Sequence, residues 1–442
     1  MKTYDSYKDS GVEWIGEIPS HWMTTKIKYT AKANKESFID GDWIESNDLS
    51  DEGVRYITTG NIGQGKYKEQ GRGYISEDTF TKLDCTEVLE GDLVISRLSL
   101  PVGRSCVLPK IHYKVVTSVD NVILRPKEDI DKYFLNYLFN STRYYEYTEL
   151  ISRGVTLTRI SRGMLGNNPI VIPPLAEQQQ IVSYLDTKTS LIDFLIEKTH
   201  QKIELLKEKR ASVINETVTN GLNPKAEFKE SGVEWIGEIP TDWENGKLGY
   251  YSNVFRGSGY QYLNQVDDDY EGVKERVVRI SDITDFNPIW CEYKEQFENY
   301  RIKPDNILIG GTGHYFGKSI YVTKEMEGLI HSYNIIRVVI KKQYPKYVQY
   351  WLSSSNIREQ MDISVLGSGQ PFIDIQGLKD LQVIIPPLSE QYEIVSYLDE
   401  QTQKIDKSIL KEEERTNLLK EYRQSLISSV FTGKIKVTED AY

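Results

Sequence analysis

The chain has 442 residues, 65 acidic against 54 basic side chains for a net charge of −11, and three cysteines. At about 150 residues per domain this is a prior of roughly three units, while Cys85, Cys106 and Cys291 are too few and scattered for a disulfide framework or a CxxC zinc knuckle and suit a reducing cytoplasm. The opening MKTYDSYKDSGVEW has no basic stretch leading into an apolar core, and no apolar run approaches the roughly 18 residues that span a bilayer, so a cytoplasmic chain without a membrane partner is expected.

The first element in chain order recurs later. Residues 7–22, YKDSGVEWIGEIPSHW, match residues 228–243, FKESGVEWIGEIPTDW, at 12 of 16 positions with an offset of 221. A second pair, PPLAEQQQIVSYLD at 173–186 and PPLSEQYEIVSYLD at 386–399, matches at 11 of 14 with an offset of 213. The chain is a tandem duplication. Setting Asp92 of GDLVIS (91–96) against Asp305 of DNILIG, Asn121 against Asn334 and Gly154 against Gly367, each at an offset of 213, places the eight extra residues of the first copy between Trp22 and Gly91. The ends of the copies are nearly identical, whereas the residues between them share only scattered core and glycine positions.

Between the anchors, β-branched runs such as LVIS (93–96), NVILRP (121–126), IVIPP (170–174) and NIIRVVI (334–340) predict short strands. A helical pattern precedes the last strand of each copy, in DKYFLNYLFNSTRYYEYTELIS and PKYVQYWLSSSNIREQMDIS, where core packing accounts for most of the tyrosines. The Pro173–Pro174 and Pro386–Pro387 pairs end those strands, and Glu177 or Glu390 then falls in a first helical turn, where its charge suits the helix dipole. Ala176 to about Glu216 lacks Gly and Pro and carries Ile181, Leu185, Ile192, Leu195, Ile203, Leu206 and Val213 at heptad-like steps; Ile394, Leu398, Ile405, Leu419 and Leu426 repeat the pattern. Two helices of about 40 residues, each with one apolar stripe, need partners, and each is the other's obvious partner. Arg210 and Arg423 interrupt the seam at equivalent positions and either fix register or snorkel to solvent. The predicted fold is α+β: two similar mixed α/β domains (1–175 and 223–388), with long helices at 176–222 and 389–442 forming an antiparallel coiled coil, and pseudo-two-fold symmetry from the repeat.

No catalytic constellation emerges. Five histidines show no metal-ligand spacing, and none has a counterpart in the other copy. GTGHYFGKS at 311–319 comes nearest to a phosphate loop, but Thr312 stands where GxxxxGK[ST] needs glycine. An NPPY-type amino-methyltransferase motif and a glycine-rich cofactor fingerprint are both absent, and Glu292–Lys294 (EYK) lacks a suitable preceding Pro-Asp. The chain is read as non-catalytic, with no cofactor or metal of its own.

Charge is distributed unevenly. Leu93 to Val119 holds no acid but contains Arg97, Ser99, Arg104, Lys110 and Lys114; Ile151 to Ala176 holds none but contains Arg153, Thr156, Thr158, Arg159, Arg162, Asn167 and Asn168. In the second copy Asn306 to Thr323 is acid-free and carries Thr312, His314, Tyr315 and Lys318 among glycines, and GSGQPF (367–372) carries Ser368 and Gln370. Glycine admits close backbone approach, Lys and Arg neutralise phosphates, and these polar side chains can read base edges, so the loops are candidate contacts to double-stranded DNA. Arg256, Ser258, Tyr260 and Gln261 are weaker candidates of the same kind. Two readers held apart by rigid helices suit two half-sites separated by unread base pairs. The rivals are a coiled-coil protein-interaction scaffold without DNA readout and a phosphate-binding enzyme using residues 311–319.

The frame GVEWIGEIPxxW, the GDLVIS strand and the repeated IPPLxEQxxIVxYLD helix opening resemble the specificity subunit of type I restriction-modification systems, over essentially the whole chain. The resemblance implies two target-recognition domains, each reading one part of a bipartite asymmetric DNA site. It implies docking of two adenine methyltransferase (M) subunits, joined by restriction (R) subunits, with S-adenosylmethionine, methyl transfer and cleavage belonging to those partners. By the same similarity Ile181, Leu185, Ile192, Leu206, Ile394, Leu398, Ile405 and Leu419 carry the spacer. Trp14, Trp22, Trp235 and Trp243 then lie in the frame where methyltransferase subunits dock, or else in the domain cores.

Overall fold

The computed structural model describes residues 3–71, 73–154, 158–259, 263–284, 286–364 and 372–437. The chain divides into two compact units, Met1–Thr199 with Glu414–Tyr442, and His200–Glu413. Neither unit is one contiguous segment of a single repeat: each joins a mixed α/β domain to the start of one long helix and the end of the other.

In the first unit an antiparallel sheet has the order Phe38–Asp40, Asn121–Leu124, Leu93–Ser96, Ser105–Val107. Its two central strands are apolar at nearly every position because both faces are covered. Leu93, Ile95, Val122 and Leu124 enter a core with Trp22, Ile27, Phe134 and Leu138, whereas Val94 and Ile123 point the other way, to Ile57, Val88, Cys106 and Val115. Alongside, Val115–Thr117 pairs in parallel with Val54–Ile57, which continues through Tyr74–Ile75 to Leu49–Ser50.

The second unit repeats the plan. Ser252–Arg256, Ile335–Ile340, Asn306–Gly310 and Ser319–Tyr321 form the equivalent antiparallel sheet, and Ile330–His331 runs parallel to Lys274–Val278. Ile307, Ile309, Ile336 and Val338 enter the main core, while Leu308 and Ile335 face the smaller one.

The two sheets correct the internal alignment. Leu93 pairs with Leu124 as Ile307 pairs with Val338, and Asp92 receives the Leu89 N–H as Asn306 receives that of Lys303. The offset here is therefore 214, so Asp92 faces Asn306 rather than Asp305, and Asn121 faces Ile335 rather than Asn334. Asp40 pairs with Val122 as Arg256 pairs with Ile336, an offset of 216, and Ile57 corresponds to Val278 at 221. By Tyr137 and Tyr350, which bond Asp186 with Thr189 and Asp399 with Thr402, the offset is 213. The eight-residue difference is thus the net of several loop changes, one of them after Leu124. Gly154 cannot be compared this way, because Gly367 lies outside the described residues.

The long helices run Leu175–Asn220 and Leu388–Phe431, about 70 and 65 Å at 1.5 Å per residue. The second stops at Phe431 rather than continuing to the last residue, and Gly433 follows with φ +66°. The glutamine of the PPLxEQ signature explains how each helix is tied to its domain. Buried Gln178 accepts from Asp131 N at 2.8 Å and donates to Pro173 O at 2.9 Å; buried Gln391 accepts from Tyr344 N at 2.8 Å and donates to Pro386 O at 2.9 Å. Each satisfies main-chain groups of the proline turn and the preceding helix that would otherwise be buried unpaired. The glutamate beside it takes different partners: Glu390 accepts from Trp243 Nε1 at 2.9 Å, while Glu177 accepts from the Tyr4 hydroxyl and contacts His21 Nε2 at 2.8 Å.

Ile181, Leu185 and Ile192 are buried with Leu426, Ile427, Val430 and Phe431 in the first unit, and Ile394, Val395 and Leu398 with Ile214 and Val218 in the second. Ile405 is also buried, whereas Leu206 and Leu419 are only half-buried. Thr199 and Thr402 occupy buried helical positions by returning their hydroxyls to the Leu195 and Leu398 carbonyls. Arg423 reaches Asp193 at 2.9 Å in the first unit, and Arg210 reaches Asp406 at 2.9 Å in the second. These are the same pair 213 residues apart with the helices' roles exchanged. In the second unit Lys202 meets Glu412 at 2.6 Å, so partner numbers fall as helix numbers rise and the helices there are antiparallel.

Trp22 and Trp243 are fully buried core residues, Trp14 is half-buried and stacks on Tyr147 with centroids 5.4 Å apart, and Trp235 is 39% exposed. Of the four, only Trp235 retains substantial surface. Trp22→Ala is expected to lower unfolding free energy by about 3–5 kcal/mol in urea denaturation, and Trp235→Ala by less than about 1 kcal/mol. Arg423→Asp is expected to lower it by about 1 kcal/mol, the upper range for a solvent-screened pair, with recovery in the Asp193→Arg/Arg423→Asp double variant.

Candidate nucleic-acid interface

The two acid-free stretches of the first copy meet in the folded domain. Gly103 N–H donates to Ser96 O and Ser96 N–H to Arg104 O, both at 2.8 Å, closing the loop after the strand Leu93–Ser96. At its tip Ser99 takes φ +63° and donates its N–H to Thr158 O at 2.9 Å, while Leu98 bridges Arg159. Arg153 and Arg159 exchange main-chain hydrogen bonds at 2.9 and 3.1 Å. Arg97, Ser99, Arg104, Arg153, Thr158, Arg159 and Arg162 therefore share one region. Lys110 does not: it lies exposed in a depression with Arg55, His112 and Tyr113. Thr156 lies outside the described residues.

Two of these arginines are interior supports. Arg97 is 5% exposed, donates to the Ile160 and Val119 carbonyls and sits 3.1 Å from Asp40. Arg104 is 9% exposed and donates to the carbonyls of Ile62 (2.8 Å), Thr59 (2.9 Å), Ser99 (2.7 Å), Leu98 (3.1 Å) and Pro101 (3.2 Å). Burial lowers both pKa values from the usual guanidinium range. Both side chains thus lie in the domain interior, where their terminal nitrogens hold the loop.

Arg159 and Arg162 are 48% and 44% exposed at the side chain, and each meets a carboxylate absent from the sequence-based set: Asp120 at 2.7 Å and Asp40 at 3.5 Å. The acid-free stretches are thus not acid-free in space. The missed signal was a glycine: aligning Gly41 of FIDGDW with Gly257 of FRGSGY would have set Asp40 against Arg256. Both glycines are required, because a Cβ would stand 2.4 Å from the Ser118 carbonyl oxygen at Gly41 and 2.2 Å from that of Ser332 at Gly257.

The second copy keeps this backbone and changes its side chains. Gly311 N–H donates to Asn334 O as Arg97 N–H donates to Asp120 O, and Thr312 bridges Phe372 as Leu98 bridges Arg159. Gly311 thus replaces Arg97, Asn334 replaces Asp120, Phe372 replaces Arg159 and Arg256 replaces Asp40. The Arg256 guanidinium lies 4.9 Å from the ring centroids of both Tyr333 and Phe372, two cation–π contacts where the first copy has ion pairs. Lys318, at the Arg104 position, lies over the Tyr315 ring at 5.3 Å, and Tyr315 packs edge-on against exposed His314. Ser368 and Gln370, like Tyr260 and Gln261, lie outside the described residues. Buried Ser258 donates its N–H to His331 O.

Residues 19–205 and 240–415 match the family model described as the type I restriction modification DNA specificity domain. The chain belongs to this family. A putative MjaX specificity subunit of Methanocaldococcus jannaschii is 23% identical over 96% of each chain, and the EcoKI specificity subunit of Escherichia coli K12 is 23% identical over 95% of this chain and 90% of its own. Among solved structures, a chain from a study of type I R-M system assembly and conformational transition aligns with a TM-score of 0.72 at 17% identity, covering 95% of this chain and 99% of that one. The HsdS subunit from Thermoanaerobacter tengcongensis gives 0.52 at 16% identity, covering 95% and 98%. The chain is a non-catalytic specificity subunit with two target-recognition domains, and its DNA-recognition role follows from the family. Among the described residues no helix is long and apolar enough to cross a membrane, and no group of three or more His, Cys, Asp or Glu side chains is placed to hold a metal ion.

Arg104→Ala is expected to destabilise the first domain by about 3 kcal/mol, because it removes the donor of the buried Ile62 carbonyl and of several half-buried ones at once. Thermal denaturation of the purified specificity subunit would register this even without DNA.

Proposed function

We propose that each recognition domain reads one half of a bipartite, asymmetric double-stranded DNA site, while the paired helices set the spacer. The carrying observation is that the two domains keep the same four-stranded antiparallel sheet, glycine turns and loop hydrogen bonds but place different side chains at equivalent loop positions. A shared framework gives two equivalent docking geometries, and unlike side chains give two unlike half-sites. The subunit then positions two adenine methyltransferase subunits, and restriction subunits when present, in the cytoplasm. Methyl transfer and S-adenosylmethionine binding belong to the methyltransferase partners.

The test is adenine-methylation sequencing of DNA from cells expressing this chain with its methyltransferase partner, beside cells lacking this chain. A bipartite motif present only with the chain is expected. Exchanging residues 23–172 for the corresponding domain of a relative changes one half-site, and lengthening the helix after Ala176 changes only the spacer. An exchange that altered both half-sites would refute one domain per half-site.

A further inference from the structure

We propose that Arg159 and Arg162 are specificity-determining residues of the first domain, each held by a carboxylate so that the rest of its guanidinium reads guanine in the major groove. The inference rests on the DNA-reading role of this domain and assigns its chemistry. Three observations carry it. First, the five arginines of the region fall into different classes: Arg97 and Arg104 are buried on main-chain carbonyls, exposed Arg153 has its main chain tied to Arg159, and Arg159 and Arg162 combine half-exposed side chains with carboxylate contacts. Second, their anchors are fixed. Asp40 ends a central-sheet strand and Asp120 directly precedes another, Arg97 contacts Asp40 at 3.1 Å, and the Asp120 carbonyl accepts the Arg97 N–H at 2.8 Å. Third, the same backbone position carries unrelated chemistry in the second domain, where Phe372 replaces Arg159 and Arg256 replaces Asp40.

A guanidinium has five N–H donors in a planar fork, so one edge can rest on a carboxylate while another remains for a ligand. Anchoring limits the rotamers to be frozen on binding and sets the direction of the free edge. The base-pair edge that accepts two parallel donors is guanine O6 and N7. A phosphate contact has no such need, since a mobile lysine serves it and carries no sequence information. Asp120 and Asp40 also oppose nonspecific attraction to phosphates, which favours discrimination over bulk affinity.

The test uses the full-length subunit in its methyltransferase complex, with Arg159→Ala, Arg159→Lys and Asp120→Asn variants and the corresponding changes at Arg162 and Asp40. Methylation rates are measured on duplexes altered one base pair at a time across both half-sites. For Arg159→Ala and Arg159→Lys, discrimination at one G·C pair of the first half-site is expected to fall on the order of ten- to hundredfold, with the second half-site and spacer unchanged. Asp120→Asn gives a smaller loss at the same pair. A uniform loss over all sequences, relieved at low salt, would make Arg159 a phosphate contact and overturn the proposal, as would relaxation confined to an A·T pair. Unchanged discrimination in Arg159→Lys, with an unaltered melting temperature, would also overturn it. A wild-type complex that methylates no bipartite motif would instead sink the underlying DNA-reading assignment.

Discussion

Each half of this molecule depends on an interaction between chain segments more than 170 residues apart. A helix with one apolar stripe gains too little from its own hydrogen bonds to persist at this length and must bury the stripe elsewhere. Here the start of each long helix packs against the end of the other: Ile181, Leu185 and Ile192 with Ile427 and Val430 in one unit, Ile214 and Val218 with Ile394 and Leu398 in the other. The recognition domains are fixed to those pairs by the Gln178 and Gln391 brackets. The compact units are therefore mosaics of both repeats, although the sequence divides naturally into one repeat after the other. The loop-closure entropy of bringing such distant segments together grows only logarithmically with separation, so an extensive apolar interface can offset it.

Much of this was legible in the sequence, because the features concerned are periodic or repeated. Heptad-like spacing identified both helices, and six of the eight proposed spacer residues are buried; Leu206 and Leu419 sit at its margin. The reciprocal ion pairs of Arg210 and Arg423 fit the register-fixing alternative rather than simple snorkelling. Repeat alignment failed by one residue between Asp92 and Leu124, where glycine and asparagine coincidences outweighed strand register. Pairing settles such cases, since a one-residue slip would turn every inward side chain outward.

The candidate site was legible only in part, for a different reason. An acid-free run signals positive potential only if the fold brings no acid to it and leaves its cations at the surface. Neither condition holds throughout the first domain. Asp40 comes from more than 50 residues upstream of Arg97, and Asp120 from just beyond the run, while Arg97 and Arg104 turn inward onto carbonyls. Linear charge cannot distinguish a cation that supports a loop from one that serves a ligand. Hydrogen-bond inventory can, because a guanidinium whose donors are already satisfied by buried carbonyls has lost that capacity for a base.

That distinction explains how one framework can serve two different readers. The loop geometry common to both domains rests on main-chain bonds: Arg97 to Asp120 and Ile160 to Arg97 in one, Gly311 to Asn334 and Ile373 to Gly311 in the other. Such bonds do not depend on side-chain identity, so the residues around them can change while the backbone stays in place. Steric limits remain at Gly41 and Gly257, where any side chain would collide with carbonyl oxygens across the turn. Within those limits an ion-paired surface built on Asp40 and Asp120 and a π-stacked one built on Arg256, Tyr333 and Phe372 occupy the same node of the same sheet. Divergence confined to such a node alters what a domain reads without disturbing the helix pairing that positions it.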